Sequence, residues 1–162
     1  MQDTITRLRA KKGDEGFTLI ELLVVVVIIG VLVAIAVPVY LNYRKGAADK
    51  SAQSDVRSAV STIEQYYTDN ANTYPPSTTC ASKAASFQLT AAGCVAGTAG
   101  GPGWVVVSDK SVLTYVNAGS TYLLCGSNTG GSSVGAGNKV YLYDSSKGGS
   151  VASAAVAIAT CV

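Results

Sequence analysis

The feature that most constrains this chain is a run of twenty uncharged, mostly apolar residues, 22–41. As an α-helix, such a run would be about 30 Å long, which matches the hydrocarbon core of a bilayer. Its Val-Val-Val-Val-Ile-Ile stretch is β-branched and could also form a buried strand, but strands usually end after about 4–8 residues. The length of the run therefore predicts a membrane-spanning helix.

A second interpretation of the same run is a secretory signal peptide. Ala34-Ile35-Ala36 has the small-residue pattern of a signal cleavage site. This interpretation leaves unexplained why an ionisable residue, Glu21, stands directly before the apolar core.

Four basic residues precede the run: Arg7, Arg9, Lys11 and Lys12. If the run spans a membrane, these residues predict that the N-terminal end lies in the cytoplasm.

The residues that lead into the run are Gly-Phe-Thr-Leu-Ile-Glu, residues 16–21. This segment resembles the processing site of type IV prepilins and the related pseudopilins, and the resemblance extends over roughly residues 11–67. In that family, a dedicated membrane peptidase cuts after the glycine of a short class III leader and methylates the new N-terminal residue. The resemblance therefore implies cleavage between Gly16 and Phe17 and N-methylation of Phe17.

The resemblance also implies a role for Glu21, the fifth residue of the expected mature chain. In the family, the apolar helices pack together in a fibre, and the glutamate of one subunit meets the N-terminal amine of its neighbour. A lone carboxylate in such a core would cost several kcal/mol unless it were paired. Glu21 is thus expected to set the register of assembly.

Gly30 and Pro38 interrupt the apolar run. Pro38 cannot donate to the carbonyl of Ala34, and both residues lower helix stability. Glycine and proline are common in membrane helices, which is one sufficient explanation. The family resemblance adds the expectation that this stretch bends and partly unwinds in a fibre.

An amphipathic pattern begins after Arg44. Apolar residues recur every three to four positions: Ala52, Val56, Ala59, Ile63 and Tyr66. This spacing predicts that the helix continues to about Asn70, where the proline-containing residues 73–78 end it. The expected organisation is a cleaved leader (1–16), a membrane and filament-core helix (17–43), an amphipathic helix (44–72) and a head (73–162).

The head is predicted to be a set of short strands joined by small-residue turns. Five strands are predicted, at residues 104–108, 112–116, 121–125, 140–144 and 151–162. Hairpin loops are predicted at 117–120 and 145–150, and a long flexible loop at 127–138. The predicted fold is α+β, with a long N-terminal helix packed on an antiparallel β-sheet head.

All four cysteines come after the apolar run, which favours disulfides in an oxidising, extracytoplasmic space. They are Cys80, Cys94, Cys125 and Cys161. Three pairings are possible. Cys80–Cys94 and Cys125–Cys161 are favoured because each joins neighbouring segments.

The composition argues against catalysis and against nucleic-acid binding. Histidine is absent and the net charge is only +2, which removes the commonest general base and any strong attraction to phosphate backbones. No cofactor or EF-hand calcium loop is indicated, although an irregular calcium site in the head stays open. The predicted protein is not an enzyme.

The resemblance implies a structural subunit of a type IV pilus, stored in the cytoplasmic membrane and then assembled into an extracellular fibre. Implied partners are identical or homologous pilin subunits, the prepilin peptidase, an inner-membrane assembly platform and, before assembly, membrane lipid. The alternative within the family is a pseudopilin of a type II secretion or DNA-uptake machine. The alternative outside it is a monomeric, membrane-anchored binding module.

Overall fold

The computed structural model describes residues 16–78, 80–97, 100–135, 137–154, 158 and 161. Contacts divide the chain into two units, which adjoin in sequence between Tyr40 and Leu41. One helix, α1 (Leu19–Asp69), contributes to both. The four basic residues of the expected leader lie outside the described residues.

In the first unit, every described side chain is exposed. The large apolar side chains between Leu19 and Val39 keep 48% to 88% of their accessible surface. By length and composition, this part of α1 could cross a membrane. Exposure of so much contiguous apolar surface marks a region that is buried against lipid or protein.

The second unit, residues 41–162, is larger than the head predicted from the sequence, because it includes the rest of α1. It is called the head from here on, and it contains nine strands within its described residues. The strands are β1 (Phe87–Thr90), β2 (Gly93–Val95), β3 (Trp104–Val105), β4 (Ser111–Asn117), β5 (Tyr122–Asn128), β6 (Ser133–Val134), β7 (Gly137–Asn138), β8 (Val140–Asp144) and β9 (Ala152–Ala154). The largest sheet has the order β4-β5-β8-β9, with every pair antiparallel. Strands β2-β1-β3 form a second antiparallel sheet, and β6 and β7 form a small hairpin.

The core of the head lies between α1 and the sheets. The helix contributes one apolar stripe at three- to four-residue spacing: Ala52, Val56, Ala59 and Ile63. Strands β4 and β5 contribute Leu113, Tyr115, Tyr122 and Leu124, none more than 1% exposed. Four of the five residues in the predicted stripe are therefore buried, and the fifth, Tyr66, is partly buried against the core. The predicted α+β fold is confirmed.

Two disulfides lie in the head. Cys80 is joined to Cys94 and Cys125 to Cys161, with Cα–Cα distances of 4.9 Å and 6.1 Å. This is the pairing favoured from the sequence. The second bridge connects β5 to the segment C-terminal to β9, which shortens the free length of the C-terminal region.

The strand predictions need several corrections. The strand predicted at 104–108 ends at Val105, because Ser108 is held by the carboxylate of Asp55 instead of a neighbouring strand. Strand β5 extends to Asn128, three residues beyond its predicted end. Of the strand predicted at 151–162, Ala152–Ala154 is present, and most of its residues beyond Ala154 lie outside the described ranges.

Two further elements were not predicted. Strands β1 and β2 form a hairpin in a segment rich in Ala, Ser and Thr, where the alternating pattern is weak. The hairpin of β6 and β7 lies within residues 127–138, which were predicted to be a flexible loop. Both hairpins are too short to give a clear periodic signal.

Candidate assembly site at the helix N-terminus

The first turn of α1 is closed by reciprocal hydrogen bonds between Thr18 and Glu21. The Thr18 N–H and the Thr18 hydroxyl both donate to Oε2 of Glu21, at 2.8 Å and 2.7 Å. The Glu21 N–H lies 3.3 Å from Oγ1 of Thr18, which accepts it. Thr18 is thus the N-cap and Glu21 the third helical residue of a capping box, which satisfies N–H groups that a helix start leaves unpaired.

Thr18 is a site residue that the sequence analysis missed. Its signal was present, because Thr-x-x-Glu directly before an apolar run is the sequence pattern of a capping box. The pattern gives Glu21 a local function that does not depend on assembly. It also fixes the direction in which the carboxylate points.

The surroundings of Glu21 are apolar and exposed. Its side chain borders a shallow depression together with Phe17, Ile20, Val24 and Val25. Phe17 and Ile20 keep 85% and 69% of their accessible surface. Within the described part of the chain, both hydrogen bonds to the carboxylate go to Oε2, so Oε1 can still accept a further donor.

The other predicted positions in the apolar half of α1 are Gly30 and Pro38. The helix continues through both, and a Cβ added to Gly30 would meet no atom within 4 Å. Gly30 is therefore not required for packing within one subunit. The bend expected at these two positions stays a prediction.

Other acidic residues of α1 make structural contacts within the described ranges. No group of three or more His, Cys, Asp or Glu side chains among the described residues could hold a metal ion. The buried carboxylates of Asp49 and Asp55 accept hydrogen bonds from Ser132 and Ser108. These two residues fasten loops to α1.

Comparison with known proteins bears directly on the first turn of α1. The family model described as "Prokaryotic N-terminal methylation motif" matches residues 11–37. This span includes Gly16, Phe17 and Glu21 and most of the apolar run. The start of this chain therefore carries a prokaryotic N-terminal methylation motif.

Curated relatives of this chain are of two kinds, secretion-system proteins and fimbrial proteins. Type II secretion system core protein G of Aeromonas hydrophila is 37% identical over 65 residues, which are 40% of this chain and 45% of the relative. The same protein of Pectobacterium carotovorum is 43% identical over 62 residues, 38% of this chain and 39% of the relative. A fimbrial protein of Neisseria meningitidis serogroup B is 36% identical over 76 residues, 47% of this chain and 44% of the relative.

The similarity has a clear limit. The chain spans less than half of the length of these curated relatives. No solved structure gives a significant match. The matched part is 38% to 47% of this chain, so the fold of the head rests on the structure of this chain.

Proposed function

We propose that this chain is a structural subunit of a type IV pilus, polymerised through the apolar half of α1 after cleavage between Gly16 and Phe17. The observation that carries the proposal is the exposed apolar half of α1. Its first turn presents the carboxylate of Glu21, which lies within the matched methylation motif. In this role the chain has no enzymatic activity, and its partners are further pilin subunits, a prepilin peptidase and an assembly platform. Before assembly it resides in the cytoplasmic membrane.

The electrostatics of the first turn support an ion pair between subunits. Cleavage creates a positive amine on Phe17. Oε1 of Glu21 can accept a hydrogen bond from the Phe17 amine of a neighbouring subunit, while Oε2 still accepts from Thr18. The cap also lowers the cost of storing the carboxylate near a membrane interface, because two donors already satisfy one of its oxygens. In an apolar fibre core, removal of one member of such a pair costs about 3–5 kcal/mol.

The second candidate is a pseudopilin of a type II secretion system. The observation that favours it is the similarity to core protein G of such systems in Aeromonas hydrophila and Pectobacterium carotovorum. Both roles use the same cleavage and the same helix. They differ in abundance, because a major pilin forms the bulk of sheared surface fibres and a pseudopilin does not.

The test compares Glu21→Ala with Glu21→Gln. Glutamine can still accept the Thr18 bonds of a capping box but carries no charge, whereas alanine loses both properties. We expect both variants to insert and to be cut after Gly16, and both to give few or no fibres. Quantitative immunoblots of membranes and sheared material report assembly, and intact-mass analysis reports a mature chain that starts at N-methylated Phe17.

Two results would contradict the proposal. Normal fibre yield from Glu21→Gln would show that assembly does not need the ion pair. A mature chain that begins at Val37, after the Ala34-Ile35-Ala36 pattern, would identify the run as a secretory signal. Sheared surface fibres composed mainly of this chain would decide for the pilin over the pseudopilin.

A further inference from the structure

A basic cleft lies in the head where α1 leaves its apolar run. It has a volume of about 480 Å³, within the range of small-ligand pockets, about 300–1,000 Å³. Three basic side chains and one acidic side chain line it: Arg44, Lys45, Lys110 and Asp109. The formal charge of the lining is therefore three minus one, +2, which favours an anion.

The position of the cleft along α1 places it at the level of lipid headgroups. Leu41, the last residue of the apolar run, also lines the cleft. Arg44 and Lys45 lie three and four residues after Leu41, or about 4.5–6 Å of helix. The polar layer of a bilayer is roughly 5–7 Å thick on each side of the hydrocarbon core. These two side chains therefore reach the depth at which phosphate groups lie.

The wall opposite α1 is held in place by hydrogen bonds. Asn128, 4% exposed, donates from Nδ2 to the carbonyl of Asp109 at 3.0 Å and to Oγ of Ser111 at 3.1 Å. Its Oδ1 accepts from the N–H of Gly130 at 2.9 Å. The carbonyl of Lys110 accepts from the N–H of Thr129 at 2.9 Å. These bonds fix the two loops that carry Lys110 and Gly130.

The backbone of Lys110 is held in an unusual conformation. Its φ is +61°, in the left-handed region that residues other than glycine rarely adopt. The surrounding hydrogen bonds offset the cost of this backbone conformation. A lysine held on a fixed loop loses less freedom on binding than one on a mobile loop, so it is suited to ligand binding.

We propose that this cleft binds the phosphate of an anionic phospholipid headgroup when the subunit is stored in the membrane. The proposal rests on the membrane-inserted state of the proposed function. Arg44 and Lys45 reach the phosphate from α1, and Lys110 reaches it from the loop between β3 and β4. The bound lipid holds the head at the membrane surface, and it is released when the helix leaves the bilayer for a fibre.

The test uses the full chain, isotope-labelled and purified in micelles of a neutral detergent. Phosphatidylglycerol, phosphatidylcholine and inorganic phosphate are titrated in separate samples, and the backbone amide signals of Lys110 and Gly130 are followed by NMR. We expect saturable shifts with phosphatidylglycerol, and none with the other two. The variant Lys45→Gln/Lys110→Gln should bind phosphatidylglycerol more weakly, by about fivefold for each lysine removed.

Lys50→Gln is the matched control, because Lys50 is an exposed lysine on the same helix outside the cleft lining. Its affinity for phosphatidylglycerol should equal that of the wild type. Equal shifts with phosphatidylcholine, unchanged affinity in the double variant, or equal loss in Lys50→Gln would overturn the proposal. Shifts with inorganic phosphate alone would replace the lipid by free phosphate and overturn it too.

The proposed function is tested separately in the same variants. Cleavage after Gly16 and resistance of the membrane-bound chain to carbonate extraction depend on the apolar half of α1. Both should be normal in the double variant. If the wild type fails these two tests, the proposed function fails, whereas failure of the lipid titration alone removes only the cleft proposal.

Discussion

The hydroxyl of Tyr122 donates a hydrogen bond of 2.8 Å to Oε1 of Glu64, joining the first residue of β5 to α1. The hydroxyl of Tyr74 lies 3.4–3.5 Å from the same carboxylate. The ring of Tyr122 also packs 5.0 Å from the Tyr74 ring and 5.7 Å from the rings of Tyr115 and Tyr143. One carboxylate and a tyrosine cluster therefore fasten the C-terminal half of α1 to the sheet.

Loss of this hydrogen bond should destabilise the head. We expect Tyr122→Phe to lower the free energy of unfolding by about 1–2 kcal/mol, because the half-buried Glu64 loses its shortest donor. Urea unfolding of the full chain in neutral detergent measures the change. Tyr43→Phe is the control, since Tyr43 is 80% exposed and should leave the midpoint where it is. Equal midpoints for Tyr122→Phe and the wild type would disprove the link.

The same cluster predicts how stability depends on alkaline pH. Burial raises the pKa of Tyr115 and of Tyr122, and the hydrogen bond to Glu64 raises the pKa of Tyr122 further. The folded state therefore holds these protons more tightly than the unfolded state, in which tyrosine has a pKa of about 10. The stabilisation is complete below about pH 10 and is lost as pH rises through the higher folded-state pKa.

An alkaline titration tests this sign. Phenolate absorbance from the buried tyrosines should appear only together with loss of the near-ultraviolet circular dichroism of the folded head. If every tyrosine ionises in one step while the head stays folded, the cluster is accessible to solvent and the prediction is wrong.

Asp55 should contribute strongly to stability. It is 6% exposed, and its carboxylate accepts from the N–H of Ser108 at 3.0 Å and from the Ser108 hydroxyl at 2.7 Å. Asp55→Ala should cost about 1–3 kcal/mol, because two part-buried donors lose their partner. Asp55→Asn, which keeps one acceptor oxygen, should cost less. Thermal unfolding measures both, and Asp69→Ala, an exposed position on the same helix, should have little effect.

Close packing of α1 on β5 requires glycine at position 126. A Cβ added there would overlap Cγ2 of Val56 and lie 2.8 Å from Cδ2 of Leu113. We expect Gly126→Ala to destabilise the head by about 1–3 kcal/mol through overpacking. Gly137→Ala is the matched control, because a Cβ there meets nothing within 4 Å. Similar urea midpoints for the two variants would show that the helix can move away without cost.

The cap predicts an asymmetry between two substitutions of Thr18. Thr18→Ser keeps the hydroxyl and should behave as the wild type, whereas Thr18→Val should fray the first turn, with a cost of about 0.5–2 kcal/mol. Amide hydrogen exchange at Glu21 and Leu22 in detergent micelles reports the fraying, because their N–H groups donate to Oγ1 and to the carbonyl of Thr18. Equal protection in the two variants would remove the hydroxyl from the cap.

Much of the N-terminal half was determined by sequence alone. Twenty consecutive uncharged residues are stable only in lipid or in an apolar protein core. In such surroundings a helix is favoured, because it forms all its backbone hydrogen bonds within one segment. The stripe from Ala52 to Ile63 could be predicted for the same reason, because helical periodicity is a local property. The Thr18–Glu21 cap is also local, and the four-residue pattern that encodes it is present in the sequence.

The tertiary structure decided what depends on distant partners. Ser108 leaves its predicted strand because a carboxylate 53 residues earlier accepts its donors. Asn128 joins β5 because its amide bridges two loops, and Lys110 adopts a positive φ because residue 129 holds its carbonyl. The cleft between α1 and these loops could not be predicted, since one wall comes from residues 41–51 and the other from residues 109–130. Local patterns carry no information on such pairings, because the energies that select them arise only when the chain has folded.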